Sequence, residues 1–165
     1  MRIGFALPQV GSLGGPDQIT TATRRAEELG YDSVWVNDRV LWPTNPQAPF
    51  PAGDGSLSPM WQRNLDALDT LTFAAANSHT LGLGTAVLIL PIYDPVLLAR
   101  RLTTIDILSK GRLAAGFGLG WSPDEYQVTG TPWSGKAKRM EDALDVIEKI
   151  WNGGTVSHES AFVSM

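Results

Sequence analysis

Cysteine is absent from this 165-residue sequence. Its absence excludes disulfides, thiolate nucleophiles and thiolate metal sites, and it fits a reducing, cytoplasmic location. Histidine is scarce as well, since only His79 and His158 occur, and their positions lack metal-ligand spacing. We therefore expect both histidines at the surface and no metal site.

Long apolar runs and an excess of positive charge are also missing. No run approaches the roughly 18 residues needed to cross a bilayer, and the first residues lack the apolar stretch of a secretory signal. The net charge is -4, and the lysines and arginines are scattered, so nucleic acid and anionic membranes are not expected partners. With 43% hydrophobic residues, residues 1–165 are expected to form a single globular domain with a buried core.

Short apolar segments alternate with amphipathic ones four times along the chain. Strands are predicted at 2–7, 33–36, 81–90 and 112–117. The predicted core faces of the helices that follow are Ile19, Ala22, Ala26 and Leu29; Leu68, Leu71 and Ala75; Leu98, Leu102, Ile105 and Leu108; and Met140, Leu144, Ile147 and Trp151. The alternation predicts an α/β fold with a parallel sheet. A doubly wound sheet and half of a βα-barrel satisfy it equally.

Two segments stand out between these elements. Residues 40–63 hold five prolines and are predicted to form a loop insertion far longer than the usual median of about 4–6 residues. Loops of this length are typically either functional or disordered. Glycine occupies every second position from 116 to 120, at the end of the fourth predicted strand. A dinucleotide-binding fingerprint is not expected at this position. These glycines favour either the close approach of a flat ring or tight packing. No nucleophile constellation is visible, which disfavours hydrolase chemistry.

Several motifs together resemble the luciferase-like monooxygenases, particularly their F420-dependent branch. They are Thr85–Pro91, Asp94–Pro95, Leu108–Arg112 and Gly116–Trp121, with Ala26–Val36 matching the first crossover and Arg139–Trp151 the fourth helix. The resemblance implies a TIM-type (βα)8 barrel, of which four βα units are present. It also implies a flavin- or deazaflavin-dependent oxidoreductase or monooxygenase that acts on a small-molecule substrate. The implied cofactor is coenzyme F420, or alternatively FMN, and the implied reaction is hydride transfer at the C-terminal face of the barrel.

The same resemblance assigns residues around the redox ring. Asn37 and Asp38 follow strand two, and Asp38 matches an acidic residue that hydrogen-bonds the ring in deazaflavin-using relatives; the alternative is a turn or capping carboxylate. Arg39 stands where many relatives have a histidine, which removes a candidate proton donor. Arg39 and Trp121 are the only candidates for a catalytic role.

Further cofactor contacts are expected on strands three and four. Ala86 and Val87 match a bulge, often with a non-proline cis peptide bond, that presses on the central ring. Gly118 and Gly120 are assigned to the cofactor site. Trp42 and Trp121 either line the substrate mouth or pack against each other. The residues from Ser122 onwards are predicted to begin a short helix, and Glu125 lies too far along to inherit the catalytic glutamate of sugar-phosphate-oxidising relatives.

A complete barrel of this type needs roughly 250 residues, and this sequence supplies four of eight βα units. Strands one and four are therefore expected to be open edges beside an exposed apolar face. We expect self-association, with two copies supplying eight strands as a homodimer or a higher homo-oligomer. The alternative hypothesis is a truncated, non-catalytic half-barrel whose role is self-assembly or partner binding, and which binds the cofactor weakly or not at all.

Overall fold

The computed structural model describes residues 1–165 and forms one parallel α/β unit. The strands are β1 (Gly4–Ala6), β2 (Ser33–Val36), β3 (Gly82–Thr85), β4 (Leu88–Ile89), β5 (Leu113–Ala114) and β6 (Phe117–Gly118). The helices are α1 (Pro16–Glu28), α2 (Ala67–Ala76), α3 (Pro95–Ser109), α4 (Pro123–Val128) and α5 (Lys136–Asn152). The predicted α/β class is confirmed, and no helix is both long and apolar enough to traverse a bilayer.

The strand order decides between the two folds that the sequence allows. The main sheet runs β1-β2-β3-β5, with β4 and β6 pairing beyond it, and every pairing is parallel. This order follows the chain without the reversal that marks a doubly wound sheet. The core lies on one face of the sheet, so the structure is half of a βα-barrel, with β1 and β5 as open edges.

The core fills the space between the sheet and the helices. Its most deeply buried side chains include Val34, Leu71, Leu83, Leu98 and Leu102, each at most 1% exposed. Four residues predicted for the core are instead exposed, and they are Leu29, Leu108, Leu144 and Trp151. Leu29 follows the last residue of α1, Leu108 lies in the last turn of α3, and α5 buries Ala143, Val146 and Ile147. Periodicity therefore misjudged the helix ends and the centre of the α5 stripe.

The opposite face of the sheet is nearly free of large side chains except for Trp35. Its indole lies across the backbone of Gly4 and Gly84, where a Cβ atom would overlap the ring. The indole nitrogen donates a hydrogen bond to Ser33 Oγ at 2.8 Å. Glycine on both neighbouring strands thus lets one flat ring cover the inner face of half a barrel.

Strands three and four are each interrupted, whereas periodicity alone predicted continuous runs. The break in strand three lies at Ala86–Val87, where the family resemblance predicted a bulge that often contains a cis peptide bond. β3 ends at Thr85 and β4 begins at Leu88, and the intervening Ala86–Val87 peptide bond is cis. The Thr85 hydroxyl accepts a hydrogen bond from the Gly116 amide at 2.8 Å and donates one to the Gly116 carbonyl at 2.9 Å. One side chain therefore satisfies the backbone where both ladders break. β1 also differs from the prediction of a buried strand, because as an edge it leaves Phe5 37% exposed.

One carboxylate joins α1 to the start of β3. Glu27 Oε1 accepts hydrogen bonds from the amides of His79, Thr80 and Leu81 and from the Thr80 hydroxyl, at 2.6–3.3 Å. Burial raises the pKa of Glu27, but these hydrogen bonds outweigh it and bring the pKa to about 2. Glu27 therefore stabilises the fold in its ionised form.

We expect Glu27→Gln to lower the free energy of unfolding at pH 7 by about 1–2 kcal/mol, because hydrogen bonds to a charged acceptor are lost. The folded pKa lies below the ordinary value of 4.5, so this stabilisation is present above pH 4.5 and disappears as the pH falls towards 2. Urea unfolding across this range measures the difference. The control is Glu28→Gln, whose carboxylate is 58% exposed beside Arg25; equal effects of the two changes would contradict the assignment.

Candidate active site

The carboxyl ends of the parallel strands gather the predicted site residues at one edge of the sheet. Asn37, Asp38 and Arg39 follow β2, the Ala86–Val87 bend follows β3, and Trp121 follows β6. Hydrogen bonds cross between these segments, from Ile89 to Asp38 and from Val40 to Glu125. Barrel enzymes place their chemistry at this edge, so these segments form the candidate site.

Asp38 is buried and joins the end of β2 to β4. Its Oδ2 accepts hydrogen bonds from the Ile89 amide at 3.0 Å and from the Tyr93 hydroxyl at 2.9 Å, whereas no protein donor bonds to Oδ1. Burial raises the pKa of Asp38 above its ordinary value, although both hydrogen bonds act in the opposite direction. Burial and the neighbouring carboxylate also raise the pKa of Tyr93. One oxygen of Asp38 thus has a structural role, and the other is available to a ligand.

Asn37 is held through its backbone by a buried glutamine. Gln9 Oε1 accepts from the Asn37 amide at 2.7 Å, and Gln9 Nε2 donates to the Asn37 carbonyl at 2.9 Å and to the Leu65 carbonyl at 3.0 Å. The Asn37 side chain makes no hydrogen bond within the chain. Gln9 therefore fixes the direction in which the chain leaves β2, a role that sequence reasoning missed because one polar residue after a strand carries no pattern.

Packing accounts for the two glycines assigned to the cofactor. A Cβ atom at Gly118 would lie 2.5 Å from Val87 Cγ2, and one at Gly120 would lie 2.7 Å from Ile89 Cγ2. Gly120 also has a φ of +66°, which disfavours other residues. These glycines allow β6 to approach β4 and leave Val87 42% exposed. Their contact with a ring, like that of Ala86 and Val87, stays a prediction.

Arg39 forms a buried ion pair with Glu125, which the sequence left without a role. Arg39 Nε lies 3.4 Å from Glu125 Oε1, and the two side chains are 7% and 1% exposed. The guanidinium carbon lies 4.8 Å from the centroid of the Trp121 ring. Glu125 Oε1 also accepts from the Val40 amide at 2.8 Å. Burial raises the pKa of Glu125 and lowers that of Arg39, while the opposite charge of each partner counteracts both shifts.

The start of the proline-rich loop rests on α4. Gln47 donates from its amide and its side chain to Asp124 at 3.1 Å, and from its side chain to Gln127 at 2.7 Å. Phe50 packs edge-on against Trp121 with ring centroids 5.4 Å apart. The aromatic partner of Trp121 is therefore Phe50 and not Trp42. The predicted short helix after Ser122 is α4.

The family pattern of luciferase-like monooxygenases matches residues 1–165. The chain belongs to the luciferase-like monooxygenase family. A relative is an uncharacterized protein of Mycobacterium tuberculosis, 32% identical over 86% of this chain and 51% of its own length. Another is an F420-dependent glucose-6-phosphate dehydrogenase of Amycolatopsis mediterranei, 28% identical over 92% of this chain and 42% of its own length.

Solved structures of similar fold extend the comparison. The oxygenating constituent of 3,6-diketocamphane monooxygenase from Pseudomonas putida, in complex with FMN, superposes with a TM-score of 0.80 at 18% identity, covering 100% of this chain and 43% of its own. The F420-dependent tetrahydromethanopterin reductase of Methanopyrus kandleri gives 0.71 at 21% identity, covering 99% and 44%. This luciferase-like chain therefore spans about half the length of the proteins it matches.

Other features of this luciferase-like chain lie away from the strand ends. The prediction of a surface position for His158 is wrong, because the tail folds onto α5 and leaves His158 9% exposed, with Nε2 2.9 Å from Asp142 Oδ1. No group of three or more acidic or histidine side chains is arranged to hold a metal ion. A groove of about 420 Å³ lies beside α3 and α5 and is lined in part by Trp151. It contains none of the candidate site residues.

We expect Asp38→Asn to raise the free energy of unfolding at neutral pH. The asparagine oxygen can still accept from Ile89 and Tyr93, its amide occupies the unbonded side, and no buried charge remains. Because the folded pKa of Asp38 is raised, its stabilising contribution is present at low pH and is lost as the pH rises through that pKa. The advantage of the variant should therefore shrink in acid.

The matched variant is Tyr93→Phe, which removes one donor to the same oxygen. It should lower the free energy of unfolding by about 1–2 kcal/mol at neutral pH. Urea unfolding of both variants beside the unaltered protein provides the measurement. A loss of stability in Asp38→Asn as large as that in Tyr93→Phe would show that Asp38 is a purely structural carboxylate.

Proposed function

We propose that this chain is the ring-binding part of an oxidoreductase that transfers hydride between a deazaflavin and a small organic substrate at the strand ends. The observation that carries the proposal is Asp38, a buried carboxylate with one oxygen held by the protein and the other unbonded. Carboxylates whose pKa is perturbed by burial at a barrel's C-terminal edge are typical of functional sites.

The surroundings of Asp38 fit a flat, largely apolar ring. Val87 is 42% exposed at the break between β3 and β4, and it offers apolar contact beside the carboxylate's segment. A bound deazaflavin or flavin would supply the hydride chemistry. In this proposal Asp38 Oδ1 accepts a hydrogen bond from the ring system, Val87 and Ala86 contact its face, and Asn37 offers a free side-chain amide.

The cofactor that we propose is F420, with FMN as the alternative. An acidic residue at the position of Asp38 is typical of deazaflavin-using relatives, and F420-dependent enzymes are among the sequence relatives. FMN is retained as the alternative because one of the similar structures is a complex with FMN. The chain spans about half the length of these proteins, so we assign no further cofactor contacts within it. For the substrate we propose only a mouth formed by Trp42, Trp121 and Arg39.

Titration with F420 and, separately, with FMN tests this function. We expect saturable changes in ring fluorescence, tighter with F420, and at least a tenfold weaker Kd in Asp38→Ala, which corresponds to about 1.4 kcal/mol. The matched control is Asp17→Ala, since Asp17 is exposed on α1, and it should bind like the unaltered protein. Failure of both rings to bind at saturating concentration would refute the proposal.

A second candidate function, self-assembly, is favoured by the two open edges of the sheet. Unpaired parallel edges and exposed apolar side chains such as Ile3 and Phe5 are unfavourable in water. Eight strands close a barrel of this type, so we propose that a second copy supplies the other four. Sedimentation at micromolar concentration should give at least a dimer, and a monomer would contradict this second proposal.

A further inference from the structure

The buried pair of Arg39 and Glu125 is incompletely satisfied. Arg39 Nε and Nη1 and Glu125 Oε2 are buried without a hydrogen-bond partner. The bond that Arg39 Nη2 donates to the Leu41 carbonyl is long, at 3.3 Å. Unpartnered buried polar atoms are rare in folded proteins, and each one requires an explanation. Here they lie together at the edge of the sheet where barrel enzymes bind their substrates.

Stability does not explain the pair. Removing two charges from water is costly, and a buried ion pair is often no more stabilising than two uncharged side chains of similar volume. Removing only one partner, in contrast, leaves an uncompensated charge and is strongly destabilising. A pair with little net effect on stability, with free donors and at a candidate site, is better explained by recognition of a ligand.

The charges around Arg39 restrict what that ligand group can be. Glu125 Oε1 already lies 3.4 Å from Arg39 Nε. Burial lowers the pKa of Arg39, and the negative charges of Glu125, Asp38 and Asp124 act in the opposite direction. Because this negative charge already balances the guanidinium, a further anion is disfavoured. Arg39 Nε faces Glu125 Oε1 in the ion pair, so Nη1, which is a donor only, is the group left for a ligand. The group that suits it is therefore an uncharged acceptor, such as a carbonyl or hydroxyl oxygen.

We propose that Glu125 is a positioning residue that holds the Arg39 guanidinium against the Trp121 ring, where Arg39 binds an uncharged carbonyl or hydroxyl oxygen of the substrate. This inference rests on the proposed function, whose substrate class it narrows. Val40 and Leu41 bond to the same two side chains, so binding of the oxygen at Arg39 would require this stretch of the loop to move aside. Glu125 thus controls both the charge at Arg39 and the start of the loop.

Coupled substitutions test the pair without any cofactor. We expect Glu125→Gln to raise the equilibrium constant for unfolding by about a hundredfold, because Arg39 stays charged and buried. The double variant Arg39→Met with Glu125→Gln should recover most of this loss. The same changes at the exposed pair of Arg25 and Glu28 serve as the control and should show little coupling. Absence of coupling between Arg39 and Glu125 would overturn the inference.

Ligand recognition is tested by NMR on the Arg39 Nε–H and Trp121 indole N–H signals, with cyclohexanone and acetate as probes. In the unaltered protein we expect cyclohexanone to shift both signals saturably and acetate to leave them unchanged. In Glu125→Gln the removal of one negative charge should strengthen acetate binding at least tenfold relative to cyclohexanone. This change in preference is not expected of a merely structural carboxylate.

Two results would overturn the recognition role. One is binding of acetate to the unaltered protein as tight as that of cyclohexanone, and the other is an unchanged preference in Glu125→Gln. Neither measurement uses F420 or FMN. If the unaltered protein bound neither F420 nor FMN, the proposed function would be refuted. The coupling between Arg39 and Glu125 and the ligand preference at Arg39 could still be measured.

Discussion

The site exists because four strands pair in parallel. Parallel pairing places the carboxyl ends of β2, β3 and β5 at one edge, and the residues that follow each strand meet there without being close in sequence. The outer face of the sheet secures this arrangement, since Val34 and Leu83 are fully buried against the helices. A shift of β2 by one residue would expose Val34 and turn Trp35 into the core. The burial of this face therefore fixes the register of β2, and with it the position of Asp38 and Arg39 after the strand's carboxyl end.

Much of the fold followed from sequence periodicity, and the order of strands did not. Alternating apolar segments indicated four βα units, but the same alternation fits a doubly wound sheet. Helix ends were misjudged where a leucine, such as Leu29 or Leu108, continued the apolar spacing after the helix had passed the sheet. The breaks in strands three and four were not derivable from composition, because Thr85 satisfies the backbone through a tertiary contact with Gly116.

The candidate site was partly foreseen for a similar reason. Asp38 and Arg39 were recognisable as polar residues directly after a strand, and their positions match a family motif. Gln9, Tyr93 and Glu125 were not recognised, because each contacts the site from a distant segment. Glu125 bonds to Val40 across 85 positions, and no local pattern in a single sequence encodes such a contact.

Two buried carboxylates at this edge differ in what balances their charge. Asp38 depends on neutral donors, the Ile89 amide and the Tyr93 hydroxyl, so one of its oxygens stays free to accept a hydrogen bond. The charge of Glu125 is balanced by a cation, Arg39, so this carboxylate sets the net charge around the guanidinium. Burial raises the pKa of both carboxyl groups, which means that keeping either one ionised inside the protein is energetically unfavourable. Their shared position at the strand ends is better explained by ligand binding at that edge than by a contribution to stability.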